Sequence, residues 1–238
     1  MEPIKGKYVL LAGATGGIGA ATARLFAGAG AHLFLTGRNN EKLKAIAAEI
    51  GLPEQHCFAA DISDQEQVSG LHAAFFSSYP KIDILINAAG LGIIKPLESL
   101  TTDDMMRSLQ ANLLGSFNLL RFFLPYMKTE KRGLIINIPG VLGKTPMAGA
   151  AVYSASKYAL VGMMQSIREE LKRTEIRITN IYMGGVDTPF WDTIDLRVQR
   201  EKMIRADEAA KAIWFLAQQP ASAVVSEMVL QPFNHQAI

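Results

Sequence analysis

Cysteine is nearly missing from this sequence. Cys57 stands alone, so no internal disulfide can form, a reducing compartment is expected, and the thiol itself reads as a small buried apolar residue. An excess of charge of one sign is missing too. Basic residues number 24 and acidic residues 22, a formal net charge of +2, which gives no reason to propose nucleic acid or an anionic membrane as a partner. No apolar run approaches the ~18 residues of a membrane-spanning helix. Residues 1–7 lead straight into a strand-like run, without the basic and apolar regions of a leader, and the expectation is a soluble cytoplasmic protein. His32, His56, His72 and His235 are scattered without ligand spacing, so no metal site is expected. No internal repeat, low-complexity tract or linker interrupts the chain. What is present is 238 residues, 49% hydrophobic and 19% charged, ample for the core of a single α/β domain over residues 1–238.

Short apolar runs at 8–12, 31–36, 56–60, 82–86, 134–138, 176–182 and 224–230 read as strands. Between them, 20–28, 41–50, 64–79, 103–127, 150–173 and 207–218 read as helices, with Thr101 or Thr102 as the N-cap of the fourth. The stretch 187–205 is polar and irregular. Strands alternating with helices imply a doubly wound parallel sheet with helices on both faces.

Two patterns carry chemistry. Gly13-x-x-x-Gly17-x-Gly19 follows the first strand and opens the first helix, where a dinucleotide pyrophosphate meets backbone N–H groups and the positive end of a helix dipole. The spacing differs from the familiar G-x-G-x-x-G, and a glycine-rich turn alone also suits a tight connection. At the end of the second strand, Thr36-Gly37-Arg38-Asn39-Asn40 has an arginine and no acid. A guanidinium pairs with a 2′-phosphate, whereas a carboxylate would accept from a free ribose 2′-OH, so NADP(H) is expected over NAD(H). The second pattern is Tyr153-Ser154-Ala155-Ser156-Lys157. Four residues apart on a helix, phenol and ammonium share a face, and the ammonium is expected to favour the phenolate. Taken alone, such pairs are common on helix surfaces.

With these pieces in place the chain resembles the short-chain dehydrogenase/reductase family over nearly its whole length. The residues that carry the resemblance are Gly13, Gly17 and Gly19, Asp61, Asn87-Ala88-Ala89-Gly90, Asn112, Tyr153 and Lys157, and Met183-Gly184-Gly185-Val186-Asp187-Thr188. The resemblance implies a Rossmann-like sheet of seven parallel strands and a homotetramer or homodimer packed through two long central helices. It also implies an NADP(H)-dependent oxidoreductase acting on a small-molecule carbonyl/alcohol pair. By the same resemblance Tyr153 is the acid/base, Lys157 holds the nicotinamide ribose, and Asn112 holds a water that relays protons to Lys157. Asp61 contacts the adenine, and Thr188 binds the carboxamide. Thr15, Ile18, Arg38, Ile62, Asn87, Ala88, Gly90, Gly184 and Val186 complete the cofactor cleft. Read without the family, Asn112 is a mid-helix amide bonded to backbone and Asp61 a turn cap.

The chain also departs from the pattern. The family's serine after the fifth strand is Gly140 here, in Asn137-Ile138-Pro139-Gly140. Losing one preorganised donor of this kind costs about 2.7–4 kcal/mol. Three explanations stay open: a hydroxyl from Thr145 or Ser154, sufficiency of Tyr153 alone, or a nucleotide-binding regulatory or scaffold protein with weakened catalysis. Ala88 replaces a second asparagine, and Met183 replaces a proline. Phe190, Trp191 and Ile194 lie where, by the resemblance, the family's substrate lid begins, and suggest an apolar or aromatic substrate. The C-terminal residues 229–238 lack the glycine-rich ending of the family's acyl-carrier reductases. Phe75-Phe76 and Phe122-Phe123 read as core or subunit contacts, and residues 128–132 as a solvated helix end.

Overall fold

The computed structural model describes residues 2–233; His235 and the rest of 234–238 lie outside them. Seven strands form one parallel sheet: β1 (Tyr8–Ala12), β2 (His32–Gly37), β3 (Cys57–Ala59), β4 (Ile84–Asn87), β5 (Arg132–Asn137), β6 (Glu175–Met183) and β9 (Glu227–Leu230). Their order is β3-β2-β1-β4-β5-β6-β9. Between β6 and β9 in the chain, β7 (Val186–Asp187) and β8 (Ile204–Arg205) form a separate parallel pair.

The apolar strand runs are continuous rather than alternating because both faces of the sheet are covered. In β1, Val9 and Leu11 face a layer built on Phe26, Leu43 and Ile213, from helices α1 (Gly17–Gly28), α2 (Asn40–Glu49) and α7 (Ala206–Ala217). Leu10 and Ala12 point the other way, toward Leu71, Phe75, Phe123 and Leu160 of α3 (Gln65–Ser78), α5 (Gly115–Glu130) and α6 (Ala151–Glu170). This is the period-two geometry of a strand. Phe75 and Phe123 are fully buried and meet edge-on at 5.7 Å, so one phenylalanine of each pair is core, while Phe76 and Phe122 are partly buried against it.

The direction in which successive strands are added reverses between β1 and β4: β2 and β3 lie on one side of β1, and β4 begins the other. A crevice opens at the carboxyl ends of the strands at that switch point. The turns after β1, β4, β5 and β6 converge there.

Two sequence expectations change. The helix expected over 103–127 is α4 (Thr102–Leu109), a single π turn (Gln110–Leu114) and α5. In the π turn the Gly115 N–H reaches back to the Gln110 carbonyl. One inserted residue re-aims Asn112 inward without breaking the rod, and an apolar pattern of period 3.6 hides it. The cap is Thr101, in a reciprocal capping box with Asp104. The irregular 187–205 stretch is pinned at both ends by the β7–β8 pairing, Val186 opposite Ile204 and Asp187 opposite Arg205. No described helix is long and apolar enough to cross a membrane. Among the described residues, no group of three His, Cys, Asp or Glu side chains is placed to hold a metal ion.

Candidate active site

The glycine turn is shaped by close approach. Gly13 has φ +78°, and a Cβ there would lie 2.5 Å from the Ala89 nitrogen, so only glycine lets the turns after β1 and β4 touch. A Cβ on Gly19 would overlap the Gly13 carbonyl. Helix α1 starts from Gly16 with no side-chain cap and no acid in its first turn. Its leading N–H groups are thus left to an anion, and the turn is a cradle that fits a pyrophosphate.

Two cavities flank this turn and share Gly16, Ala88 and Gly90 as a common wall. One, of about 390 Å³, contains Gly13, Thr15, Arg38, Asp61 and Ile62, together with Arg107 and Gln110. Arg38 is exposed and has no carboxylate partner among the described residues. Thr15 packs against Gly37, where a Cβ would meet its Oγ1 at 2.9 Å. Asp61 is a turn cap as well as a wall residue: its Oδ1 accepts from the Ser63 N–H at 2.9 Å and the Ser63 hydroxyl at 2.7 Å. Sequence reading missed Arg107. Its spacing from Asp103 marks an ordinary helix-surface pair, 3.8 Å apart here, and only the packing of α4 brings it to the cleft.

The other cavity, of about 250 Å³, holds Gly17, Ile18, Gly19, Gly140, Tyr153, Gly184, Val186 and Thr188. Tyr153 contributes its hydroxyl to the wall near Gly140. Lys157, one turn further along α6, is 3% exposed; among the described residues its Nζ donates only to the Ile138 carbonyl, at 3.2 Å. Burial pushes the Lys157 ammonium down to about 8. Tyr153 moves upward, also by burial. The expected lowering by Lys157 is not what these side chains produce: Nζ lies 5.7 Å from the Tyr153 ring centroid, and loss of water outweighs it.

Asn87, Asn112 and Lys157 stand behind the cleft rather than in its surface. The Asn87 amide donates to the Ser116 hydroxyl at 2.8 Å. Asn112 clamps Leu91 by both backbone groups, accepting from its N–H and donating to its carbonyl at 2.9 Å each. It also donates to Ser156 at 2.9 Å. Its amide is thus bonded to backbone even though its position is special. Gly90 uncovers the pair behind it: a Cβ there would lie 3.0 Å from Asn112 Oδ1 and 3.1 Å from Lys157 Nζ.

Neither hydroxyl offered by the sequence in place of the serine at position 140 reaches the cavity. Thr145 is exposed, and neither it nor Ser154 lines the cavity. The Ser154 hydroxyl is buried elsewhere, without a partner among the described residues. Gly140 itself has φ +72° and ψ 167°, a backbone region open essentially to glycine alone. A Cβ built there has space, 4.0 Å from the Tyr153 hydroxyl; the obstacle is the backbone. Thr188 caps the short helical turn Pro189–Thr193. Its methyl lies so close to Gly17 that a Cβ there would come within 2.5 Å, so the segment after β7 touches the glycine turn. Trp191 is anchored, its indole N–H donating to the Val186 carbonyl at 3.0 Å.

Comparison with known proteins agrees with this geometry. The family model for short chain dehydrogenase matches residues 7–198. An uncharacterized oxidoreductase of Staphylococcus epidermidis is 31% identical over 98% of this chain and 100% of its own. A serine 3-dehydrogenase of Agrobacterium fabrum is 32% identical over 95% of this chain and 94% of its own. The crystal structure of a metagenomic short-chain oxidoreductase in complex with NADP superposes with a TM-score of 0.83 at 31% identity, covering 97% of this chain and 99% of that one. With its sheet order, glycine turn and Tyr–Lys helix turn in place, the chain belongs to the short-chain dehydrogenase/reductase family of oxidoreductases.

Proposed function

We propose that this protein interconverts a carbonyl and an alcohol, with NADP(H) as the hydride carrier and Tyr153 as the acid/base. The observation that carries the reading is the Tyr153 hydroxyl in the cavity wall, one helical turn from a buried ammonium and across from a glycine cradle. Bound in the cleft, the nicotinamide supplies or accepts the hydride. In reduction Tyr153 gives its proton to the carbonyl oxygen, and in oxidation it takes one from the alcohol. Lys157, where charged, stabilises the phenolate left behind, and its unspent N–H groups would hold the ribose hydroxyls. Asn112 keeps the Leu91 turn, and with it the Gly90 wall, in place. The unpaired guanidinium of Arg38 supports a 2′-phosphate, as does the NADP in the metagenomic neighbour. Asp61 would sit at the adenine end and Thr188 at the carboxamide. Exposed Met105, Met106, Leu114, Phe117 and Tyr158 on α4, the π turn, α5 and α6 support pairing of copies as a homodimer or homotetramer.

The test is NADPH oxidation against a panel of ketones and aldehydes. Tyr153→Phe should lower kcat by about 10²–10⁴-fold while NADPH affinity holds. Undiminished turnover in that variant would end the reading. A second reading, a nucleotide-binding regulatory protein, draws on Gly140, which leaves Tyr153 without a neighbouring hydroxyl. NADPH binding without turnover of any panel member would favour it. Two kinds of substrate are in view: a zwitterion such as serine, after the name of one relative, and a neutral carbonyl.

A further inference from the structure

We infer that the cavity beside Tyr153 takes a neutral, apolar carbonyl or alcohol and rejects analogues bearing a carboxylate or an ammonium. The inference rests on the oxidoreductase reading and names its substrate class. Beyond the glycines and Tyr153, the walls include Ile94, Val141, Leu142, Met183, Phe190 and Trp191. No charged side chain is among the described residues of the lining. Its polar side chains other than Tyr153 are already engaged: the Trp191 indole with the Val186 carbonyl, and the Thr188 hydroxyl with that same carbonyl and the Phe190 N–H.

Four charged side chains on the flanking segments are committed elsewhere. Lys95 pairs with Asp104 at 2.7 Å. Lys144 pairs with Glu227 at 2.7 Å and covers the Tyr182 ring. Asp187 and Asp192 share Arg200. A substrate carboxylate or ammonium would therefore lose its water and meet no charged side chain in the lining, and a buried charge without a partner is strongly disfavoured.

The aromatic end is fixed in width. The Phe190 ring lies against Gly92, where a Cβ would overlap it. It stands edge-on to Trp191 at 5.3 Å and tilted over Tyr153 at 6.0 Å. A planar apolar group reaching from the Tyr153 hydroxyl toward Trp191 fits this shape.

The experiment uses Trp214→Phe protein. The chain has two tryptophans, so Trp191 becomes the sole emitter and reports occupancy of the cavity without turnover. The probes are benzylacetone, the 2-oxo acid in which a carboxylate replaces its methyl group, and serine with NADP+. Benzylacetone should titrate the Trp191 emission in the presence of the cofactor. Its kcat/KM should exceed that of either charged probe on the order of 10²–10³-fold, the size of an unpaired buried charge. Phe190→Ala should weaken the ketone titration and leave NADPH affinity unchanged. Turnover of the oxo acid or serine at rates matching the ketone would overturn the inference while sustaining the oxidoreductase reading. Selective ketone binding without any turnover would do the reverse. Emission unmoved by all three probes would overturn the inference outright.

Discussion

The two cavities that meet at the glycine turn are opposites. The larger is polar, with Arg38, Arg107 and Asp61 in its wall. The smaller is walled by aliphatic and aromatic side chains, and its one ammonium, on Lys157, is hidden behind Gly90. A dinucleotide lying across the shared wall would put its phosphates and adenosine on the polar side and its nicotinamide on the apolar one. The difference teaches a division of labour: charge–charge recognition is confined to the half that binds, and the half proposed to react is kept free of competing charges. In such a site a single proton donor and a single ammonium carry weight they would not have in water.

Lys157→Met should show the largest effect, because it removes the one charge from the apolar half. Activity should fall by several orders of magnitude, yet the fold should gain stability. In the folded protein burial pushes the ammonium down to about 8, well below its unfolded value, and so opposes folding by about 3 kcal/mol below pH 8. The unfolded chain holds this proton up to about pH 10.4. The parent should therefore become more stable as pH rises from 8 toward 10, and the methionine variant should lack that rise. Melting temperatures of the two proteins across pH 7–10 check this, and a less stable variant at pH 7 would refute it.

Arg38→Ala breaks the polar half alone. NADPH affinity should fall about 10- to 100-fold, the worth of a charge-assisted pair; NADH affinity should not change. Titration of both cofactors, repeated at high salt to screen the exposed guanidinium, separates this from a general loss of binding. Equal losses for the two would remove the 2′-phosphate role.

The smallest effect sharpens the comparison at Gly140. Adding a serine there would seem to restore a donor to the apolar half. The backbone at φ +72° instead makes Gly140→Ser a strained substitution, costing about 1–3 kcal/mol of stability. Little gain in kcat is expected. A marked increase in turnover with no drop in melting temperature would show that the loop accommodates the hydroxyl.

Much of this arrangement was legible in order along the chain. The apolar strand runs, the glycine turn after β1 and the Tyr153–Lys157 spacing are local patterns, and local sterics fix their meaning. Gly13 is required where two turns touch, and that requirement is already visible as a glycine at the end of a buried strand. What stayed illegible is non-local. The π turn leaves the apolar periodicity intact, so the inward aim of Asn112 and its grip on Leu91 did not show. Arg107 carries the signature of a surface ion pair until α4 is packed beside the cleft. Thr145 is adjacent to the site in sequence, but the turn after β5 carries it to the surface. The sign of the Tyr153 shift also depended on the fold: spacing gives the neighbouring charge, but only packing shows how little water remains to both groups.

The sequence by itself therefore determined the layered parallel sheet, the glycine turn after β1 and the spacing of the Tyr153–Lys157 pair proposed to react, since each rests on periodicity or on one residue's conformational range. The tertiary structure alone decided that position 140 adopts a backbone suited to glycine, that Lys157 is buried with a single carbonyl partner among the described residues, and that no charged side chain is among the described residues lining the apolar cavity. Those properties come from segments far apart in sequence that exclude water together, and burial belongs to the packed molecule rather than to any stretch of the chain.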